Sequence, residues 1–337
     1  MFSNSDIKYM KKCFALALRG KGKVSPNPLV GCVVLNREGK VISTGYHKKY
    51  GANHAERDAL SKLKAGDAEG GTLYVNLEPC SHYGKTPPCT DIIIEHKLSK
   101  VIYAMPDPNK KVDGAKILQK AGIEVVSGIL EKEAKFLNRI FIKNITKKLP
   151  YVVLKTAVTM DGKTATKTGD SKWITSEKAR EEVYKMRKEF DCIMTSSNTV
   201  LADNPSMEHK CKCILDKNSR IPKNAEILKQ GKIYIATKEN TPVKNGNLDL
   251  KAVLKSLYKQ GVCSVFAECG GKLGGALLKE GLVDEVYEFI APKILNDNTG
   301  LSCFDGDNIN KIAKCTNLNI YETKILAPDI LIKAIVK

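Results

Sequence analysis

The chain has a single tryptophan in 337 residues, its aromatics amount to only 6%, and no apolar run is long enough to span a bilayer. The apolar runs that do occur, such as Ile92-Ile93-Ile94, have the length of strands or helices. From Met1 to Lys12, charged and polar residues stand where a secretory signal needs an apolar segment. Acidic residues are also short: 37 against 55 lysines and arginines, a formal charge of +18. Such a charge suits nucleic acid, an anionic membrane or phosphorylated small molecules. The lysines are spread along the whole chain rather than clustered with aromatics, which speaks against nucleic acid and leaves general lysine enrichment as most of the explanation. The 11 cysteines are scattered and odd in number, a pattern that fits a reducing compartment. A cytoplasmic protein with neither a membrane nor a nucleic-acid partner is the expectation. Hydrophobic residues at 42% are ordinary for a globular protein, and the length exceeds what one core usually serves, so two domains are predicted.

Apolar positions at helical spacing predict a helix from Asp6 to Arg19 with Asp6 as N-cap, followed by a Gly/Pro-rich loop over 20–28. Two strands, 30–35 and 40–46, a helix from His54 to Leu63, a strand 72–76 and a helix 90–96 come next. Strands near 101–104 and 125–126 and one long helix, 130–144, complete the first half. The polar segment Thr146 to Pro150 marks the boundary. Beyond it, strands are expected at 151–159, 191–195, 212–215, 232–236, 264–268 and 285–290. Helices are expected at 176–189, 249–258 and 273–279, with a tight turn at Met160-Asp161-Gly162-Lys163. Such alternation is the signature of α/β layers with helices packed on a mostly parallel sheet.

His54-Ala55-Glu56, followed by Pro79-Cys80 and then Cys89, carries the chemistry of hydrolytic deamination. One imidazole and two thiolates leave a zinc ion one tetrahedral position for water. Bound there, water has its pKa lowered to roughly 7. Glu56, two residues from the ligand His54, can shuttle the proton from that water to departing ammonia. The competing reading is a closed structural site with His82 as fourth ligand, which gives Glu56 no task.

A second constellation follows the strand ending at Glu268. The glycine-rich turn Cys269-Gly270-Gly271-Lys272-Leu273-Gly274-Gly275-Ala276 stands between strand and helix, where backbone N–H groups can meet phosphate oxygens. Close helix–sheet packing would select the same glycines. Hydroxyls and amides from Thr195 to Pro205 lie at another strand end, where α/β sheets commonly bind ligands. Trp173 by itself reads as core or ligand contact. His209-Lys210-Cys211-Lys212-Cys213 reads as a strand with alternating faces rather than a second metal site.

Across essentially the whole chain these motifs resemble the bifunctional riboflavin biosynthesis deaminase/reductase family. The residues that carry the resemblance are His54-Ala55-Glu56, Leu77 to Cys89 with Lys85-Thr86-Pro87-Pro88, Leu154-Lys155, Met160-Asp161-Gly162-Lys163, Trp173-Ile174-Thr175-Ser176, Thr199 to Pro205 and Glu268 to Leu278. The resemblance implies a cytidine-deaminase-like α/β/α domain over 1–146 and a dihydrofolate-reductase-like α/β domain over 150–337. Zinc and NADPH would be the cofactors and a phosphorylated pyrimidine the substrate. That substrate would be deaminated at its 2-amino group and then reduced from ribosyl to ribityl. Carried over position by position, His54, Cys80 and Cys89 hold zinc, Glu56 moves the proton and Asn27 bonds the pyrimidine. Ala157, Trp173, Thr199, Asp203 and the turn Gly270, Gly271, Lys272, Leu273, Gly274, Gly275 and Ala276 match cofactor positions. Lys155, Ser171, Arg187, Met207, Lys210 and Glu268 match substrate positions, Lys155 polarising the ribose end. Assembly as a homo-oligomer, dimer or tetramer, is also expected.

One departure stands out. Where the family usually continues from Pro205 with Leu-Thr-Val-Arg, this chain has Ser206-Met207-Glu208-His209-Lys210, which keeps a positive charge but loses the arginine fork. One alternative follows from it, a deaminase with an impaired reductase; the zinc motif and the positive charge support a second, a nucleic-acid base deaminase. The second needs a strand-tracking basic groove, yet half the chain is given to a nucleotide-cofactor-like domain.

Overall fold

The computed structural model describes residues 2–84, 87–306 and 309–337, so Lys85 and Thr86 of the Cys80-to-Cys89 motif lie outside the described residues. It divides into two compact units, Met1–Lys148 and Leu149–Lys337.

The first unit is a five-stranded sheet with helices on it. α1 (Asn4–Leu18) starts at Ser3, whose hydroxyl accepts from the Asp6 N–H while the Asp6 carboxylate accepts from the Ser3 N–H. Asp6 is therefore the third residue of the helix and half of a capping box, not the N-cap expected from its side chain alone. β1 (Gly31–Leu35) and β2 (Val41–Tyr46) form an antiparallel hairpin, and α2 (Ala55–Leu60) packs beside it. β3 (Thr72–Leu77), α3 (Cys89–Glu95), β4 (Lys100–Met105), α4 (Gly114–Lys120) and β5 (Glu124–Ser127) then alternate, with β3, β4 and β5 parallel. The sheet order is β2-β1-β3-β4-β5. β1 is buried along its whole length, as a central strand covered on both faces must be.

The single helix expected over 130–144 is two, α5 (Glu131–Leu137) and α6 (Arg139–Lys147). Asn138 breaks it: its side chain leaves the helix line to accept from the Leu29 N–H at 2.8 Å and donate to the Leu29 carbonyl at 3.0 Å. α6 also runs further than expected and takes up Thr146 and Lys147 of the polar segment, ending at Lys148 in the left-handed region, φ 55°.

The second unit opens with β6 (Tyr151–Thr159), β7 (Lys163–Ala165), α7 (Glu177–Arg187), β8 (Cys192–Ser196), α8 (Ser197–Asp203), β9 (Cys211–Leu215) and β10 (Lys232–Ala236). A small hairpin of β11 (Val243–Lys244) and β12 (Asn247–Leu248) leads to α9 (Leu250–Lys259), β13 (Ser264–Glu268), α10 (Gly271–Lys279) and β14 (Glu285–Ala291). β15 (Leu301–Ser302) pairs with β7, and β16 (Leu318–Leu326) and β17 (Asp329–Val336) close the unit. Its eight-stranded sheet has the order β10-β9-β8-β13-β6-β14-β17-β16. The first six of these strands are mutually parallel, and β17 and β16 run antiparallel at one edge. Neither the terminal hairpin nor α8, which takes up the hydroxyl and amide run after β8, is among the elements the sequence predicts.

Candidate functional sites

Three element ends converge in the first unit. His54 is the N-cap residue of α2, extended at φ −66° and ψ 163°, which throws its ring ahead of the helix and leaves Glu56 in the first turn. Cys80 follows β3, and Cys89 is the first residue of α3. Gly114 permits the approach of α4 to this turn, since a β-carbon there would stand 1.9 Å from the Pro79 carbonyl oxygen. His54 Nδ1 lies 3.4 Å from Cys80 Sγ and 3.6 Å from Cys89 Sγ, and the three donor atoms all lie within 4.8 Å of one another. Among the described residues no other group of His, Cys, Asp or Glu gathers this way. His82 lines the adjoining cavity but is not one of the three. The donor set, one imidazole nitrogen and two sulfurs without a fourth protein ligand, suits a zinc ion with an open position.

The electrostatics are those of a soft cation site. The Cys89 thiol and the His54 ring hydrogen-bond to Cys80 and hold its thiol well below the usual range. Burial, with Cys80 beside it, pushes the Glu56 carboxyl up to about 7. Glu56 is 3% exposed.

The cavity beside these groups measures about 280 Å³ and is lined by Asn27, His47, Glu56, Asp107, Asn109 and Phe141, among others. His47 Nδ1 is 2.9 Å from the Asn53 carbonyl, which can only accept, so that nitrogen carries the proton. Nε2 then accepts from the Asn27 amide nitrogen at 3.1 Å, and burial keeps the ring neutral. Asn27 Oδ1 is thereby turned from His47 and available to the cavity. Burial pushes Asp107 up to about 6. His47, the Asp107–Asn109 loop and Phe141 lie outside the motifs legible in the sequence because they come from three separate segments; a polar residue directly after the β2 strand, at His47, is the one local signal.

In the second unit Lys155 and Glu268 stand side by side in the β6–β13 register, and Lys155 and Ala157 share a strand face. Arg187, at the end of α7, and Lys155 both reach the Glu268 carboxylate, at 2.5 Å and 3.7 Å. Burial pushes Glu268 up, but the two cations overcome it and hold the carboxyl below its ordinary value. Trp173, 63% exposed, is no core residue. Thr199 and Asp203 lie on α8, and Thr199 Oγ1 is 3.4 Å from Ser196 Oγ. Ser171 is half-buried and accepts at its carbonyl from the Ile174 N–H.

The glycine turn divides into two kinds of residue. At Gly271 and Gly275 a β-carbon would meet the Ser302 and Asp305 carbonyl oxygens at 2.3 Å, so packing alone demands these glycines. Leu273 and Ala276 pack on the core. Gly270 caps α10 with nothing within 4 Å of a would-be β-carbon, and Lys272 is exposed. A first turn of unsatisfied N–H groups with no carboxylate among them suits a phosphate.

The divergent loop is only partly gathered into this site. Met207 is 7% exposed and packs with Ile193 and Val200. Lys210 is exposed, and its ammonium lies 3.7 Å from Asp191 rather than at Glu268. His209 directs both ring nitrogens at main-chain carbonyls, those of Cys211 at 2.8 Å and Phe190 at 3.1 Å.

A zinc-type donor set in an α/β deaminase unit, joined to a parallel-sheet unit with a phosphate-suited turn, defines a deaminase fused to a nucleotide-cofactor reductase. The comparisons name the class. Residues 3–105 match the cytidine and deoxycytidylate deaminase zinc-binding region, and residues 150–332 match the RibD C-terminal domain. The riboflavin biosynthesis protein RibD of Actinobacillus pleuropneumoniae is 37% identical, covering 98% of this chain and 96% of its own length. That of Escherichia coli K12 is 37% identical, with 96% and 98% covered. Among solved structures, Acinetobacter baumannii RibD superposes with a TM-score of 0.89 at 35% identity, covering 99% of both chains. A Thermotoga maritima diaminohydroxyphosphoribosylaminopyrimidine deaminase/5-amino-6-(5-phosphoribosylamino)uracil reductase superposes at 0.87 and 34% identity, again over 99% of both. The chain belongs to the RibD family and is a bifunctional deaminase/reductase of riboflavin biosynthesis, with zinc and NADPH as the family's cofactors.

Proposed function

We propose that the first unit hydrolyses the 2-amino group of 2,5-diamino-6-ribosylamino-4(3H)-pyrimidinone 5′-phosphate. The second unit then reduces the ribosyl group of 5-amino-6-ribosylaminouracil 5′-phosphate to ribityl. The observation that carries this reading is the meeting of His54 Nδ1 with the two sulfurs beside a cavity that also holds the buried Glu56. His54, Cys80 and Cys89 hold zinc, and activation of water is the chemistry the bound ion supplies. Glu56 accepts a proton on its carboxylate and returns it to the leaving ammonia. Asn27, oriented by His47, presents Oδ1 to a donor on the pyrimidine ring.

In the second unit Ala157, Trp173, Thr199, Asp203 and the turn 270–276 hold NADPH, the turn through its backbone N–H groups. Hydride is what the cofactor supplies. Lys155, shared with Glu268, directs its ammonium to the ribose end of the substrate and polarises it. Ser171, Arg187 and Glu268 position the sugar. Met207 shapes the loop beneath, and Lys210 adds positive charge toward the phosphate.

Two further readings rest on the surface. β16 is the outer strand of its sheet and exposes Leu318, Ile320 and Ile325, a pairing edge that supports assembly as a dimer or tetramer. None of the 11 cysteines is paired in a disulfide, which supports a reducing, cytoplasmic setting. No helix among the described residues is long and apolar enough to cross a membrane.

The test is one coupled assay on the phosphorylated pyrimidine that follows ammonia release and NADPH oxidation together. Both signals are expected, in that order. Ammonia without NADPH oxidation would leave a deaminase with an impaired reductase, and neither signal would sink the assignment.

A further inference from the structure

We propose that Arg180 is a positioning residue for the reductase cofactor: its guanidinium backs one face of the Trp173 indole so that the other face serves as a stacking platform for NADPH. The inference rests on the reading of Trp173 as a cofactor contact. The ring is large and apolar, yet 63% of the residue is exposed, against the usual burial of tryptophan. The centre of the Arg180 guanidinium lies 4.4 Å from the ring centroid, within cation–π range. The guanidinium is itself fixed, since Nη1 donates to the Thr175 carbonyl at 2.9 Å. The strap beneath the ring is pinned at separate points. Lys293 Nζ donates to the Trp173 carbonyl at 2.7 Å, and the Ser176 N–H donates to Asp329 Oδ2 at 2.7 Å, with Asp329 fully buried. Ser176 Oγ caps α7 by accepting from the Ala179 N–H, which sets Arg180 one residue further along the same helix.

A main chain held this firmly, carrying an exposed ring whose one face is covered by a planar cation, is preorganised for a flat ligand on the other face. A lysine could supply the charge but not the flat, tethered backing. An indole without that backing would rotate about its side-chain bonds in solvent and would have to be ordered at the moment of binding.

Trp173 is the sole tryptophan, so its emission reports on this ring alone. The full chain is titrated with NADPH while Trp173 emission and anisotropy are followed in wild type, Arg180→Ala and Arg180→Lys, and NADPH affinity is measured by calorimetry in these and in Trp173→Phe, each checked for fold by circular dichroism. Wild-type emission should change on NADPH binding. Arg180→Ala should lower the anisotropy of the free chain and weaken NADPH binding about two- to five-fold, the size of an exposed cation–π contact. Arg180→Lys should fall between. If Trp173 does not respond to NADPH and Trp173→Phe binds it unchanged, the reading of Trp173 fails and the proposal with it. If Trp173 responds but Arg180→Ala keeps wild-type anisotropy and affinity, the role of Arg180 alone is overturned. Should Arg180→Ala not fold, Arg180→Lys decides: unchanged anisotropy and affinity there also overturn it.

Discussion

Arg187 grips Glu268 with two nitrogens, Nε at 2.5 Å from Oε1 and Nη2 at 3.0 Å from Oε2, the planar fork meeting a planar carboxylate. Lys155 completes the group at 3.7 Å, so one buried carboxylate serves two partly buried cations. Glu268→Gln should therefore destabilise the fold by about 3–5 kcal/mol, because both cations lose their counter-charge. Urea unfolding of the two proteins measures it. The Glu268 carboxyl is lower in the folded chain than in the unfolded one, so its stabilisation is complete above pH ~4.3 and lost as pH falls through the folded value. The gap between wild type and Glu268→Gln should narrow only in that acid range; a gap constant down to strong acid would contradict the ion-pair account.

Zinc content tests the convergence of His54, Cys80 and Cys89. The purified chain should carry one zinc per subunit, and His54→Ala and Cys80→Ser should each lose it, as read by elemental analysis. Full zinc in both variants would show that the ion is held elsewhere.

Glu56→Gln replaces a buried acid by an amide of the same shape that cannot relay a proton. Deamination should fall by roughly 10²–10⁴-fold with zinc retained. Reduction of an already deaminated substrate should continue at the wild-type rate. Near-normal ammonia release would assign the proton transfer to another residue.

Phe141 and Ile145 of α6 line the deaminase cavity, so a fragment must include that helix to work. A Met1–Lys148 fragment should bind zinc and release ammonia, whereas one ending at Leu137 should lose activity. Equal activity from both lengths would remove α6 from the site.

Lys210→Ala tests the departure from the family's arginine. If the ammonium leaves Asp191 for the substrate phosphate, the reductase KM should rise several-fold with kcat nearly unchanged, the mark of uniform binding lost. Lys210→Arg should be tolerated. An unchanged KM in Lys210→Ala would place the phosphate elsewhere, with Arg187 the next residue to examine.

The local sequence settled what depends on neighbours in the chain. His54 and Glu56 are carried by one helix start, and Cys80 and Cys89 by a strand end and the next helix start, so the local sequence names the donors and the fold brings them together. Strands such as Tyr151–Thr159 and Ser264–Glu268 match their apolar runs because parallel strands buried on both faces read as continuous hydrophobic stretches. The metal-like run His209 to Cys213 resolves as its alternation suggests, with Cys213 in the core and Cys211 packed on the same cluster while Lys212 turns to the other face.

Tertiary structure decided whatever depends on residues distant along the chain. The break at Asn138 exists because its amide bonds Leu29, which no helical periodicity around 138 can reveal. Ser3 rather than Asp6 begins α1 because both side chains can cap and only the folded backbone chooses between them. The cavity takes Asn27, His47, Asp107 and Phe141 from four separated segments, and the Glu268 cluster takes its cations from a strand and a helix end. Residue type and spacing fix a site made within one turn; a pocket assembled across a sheet takes shape only when burial of the core brings its walls together.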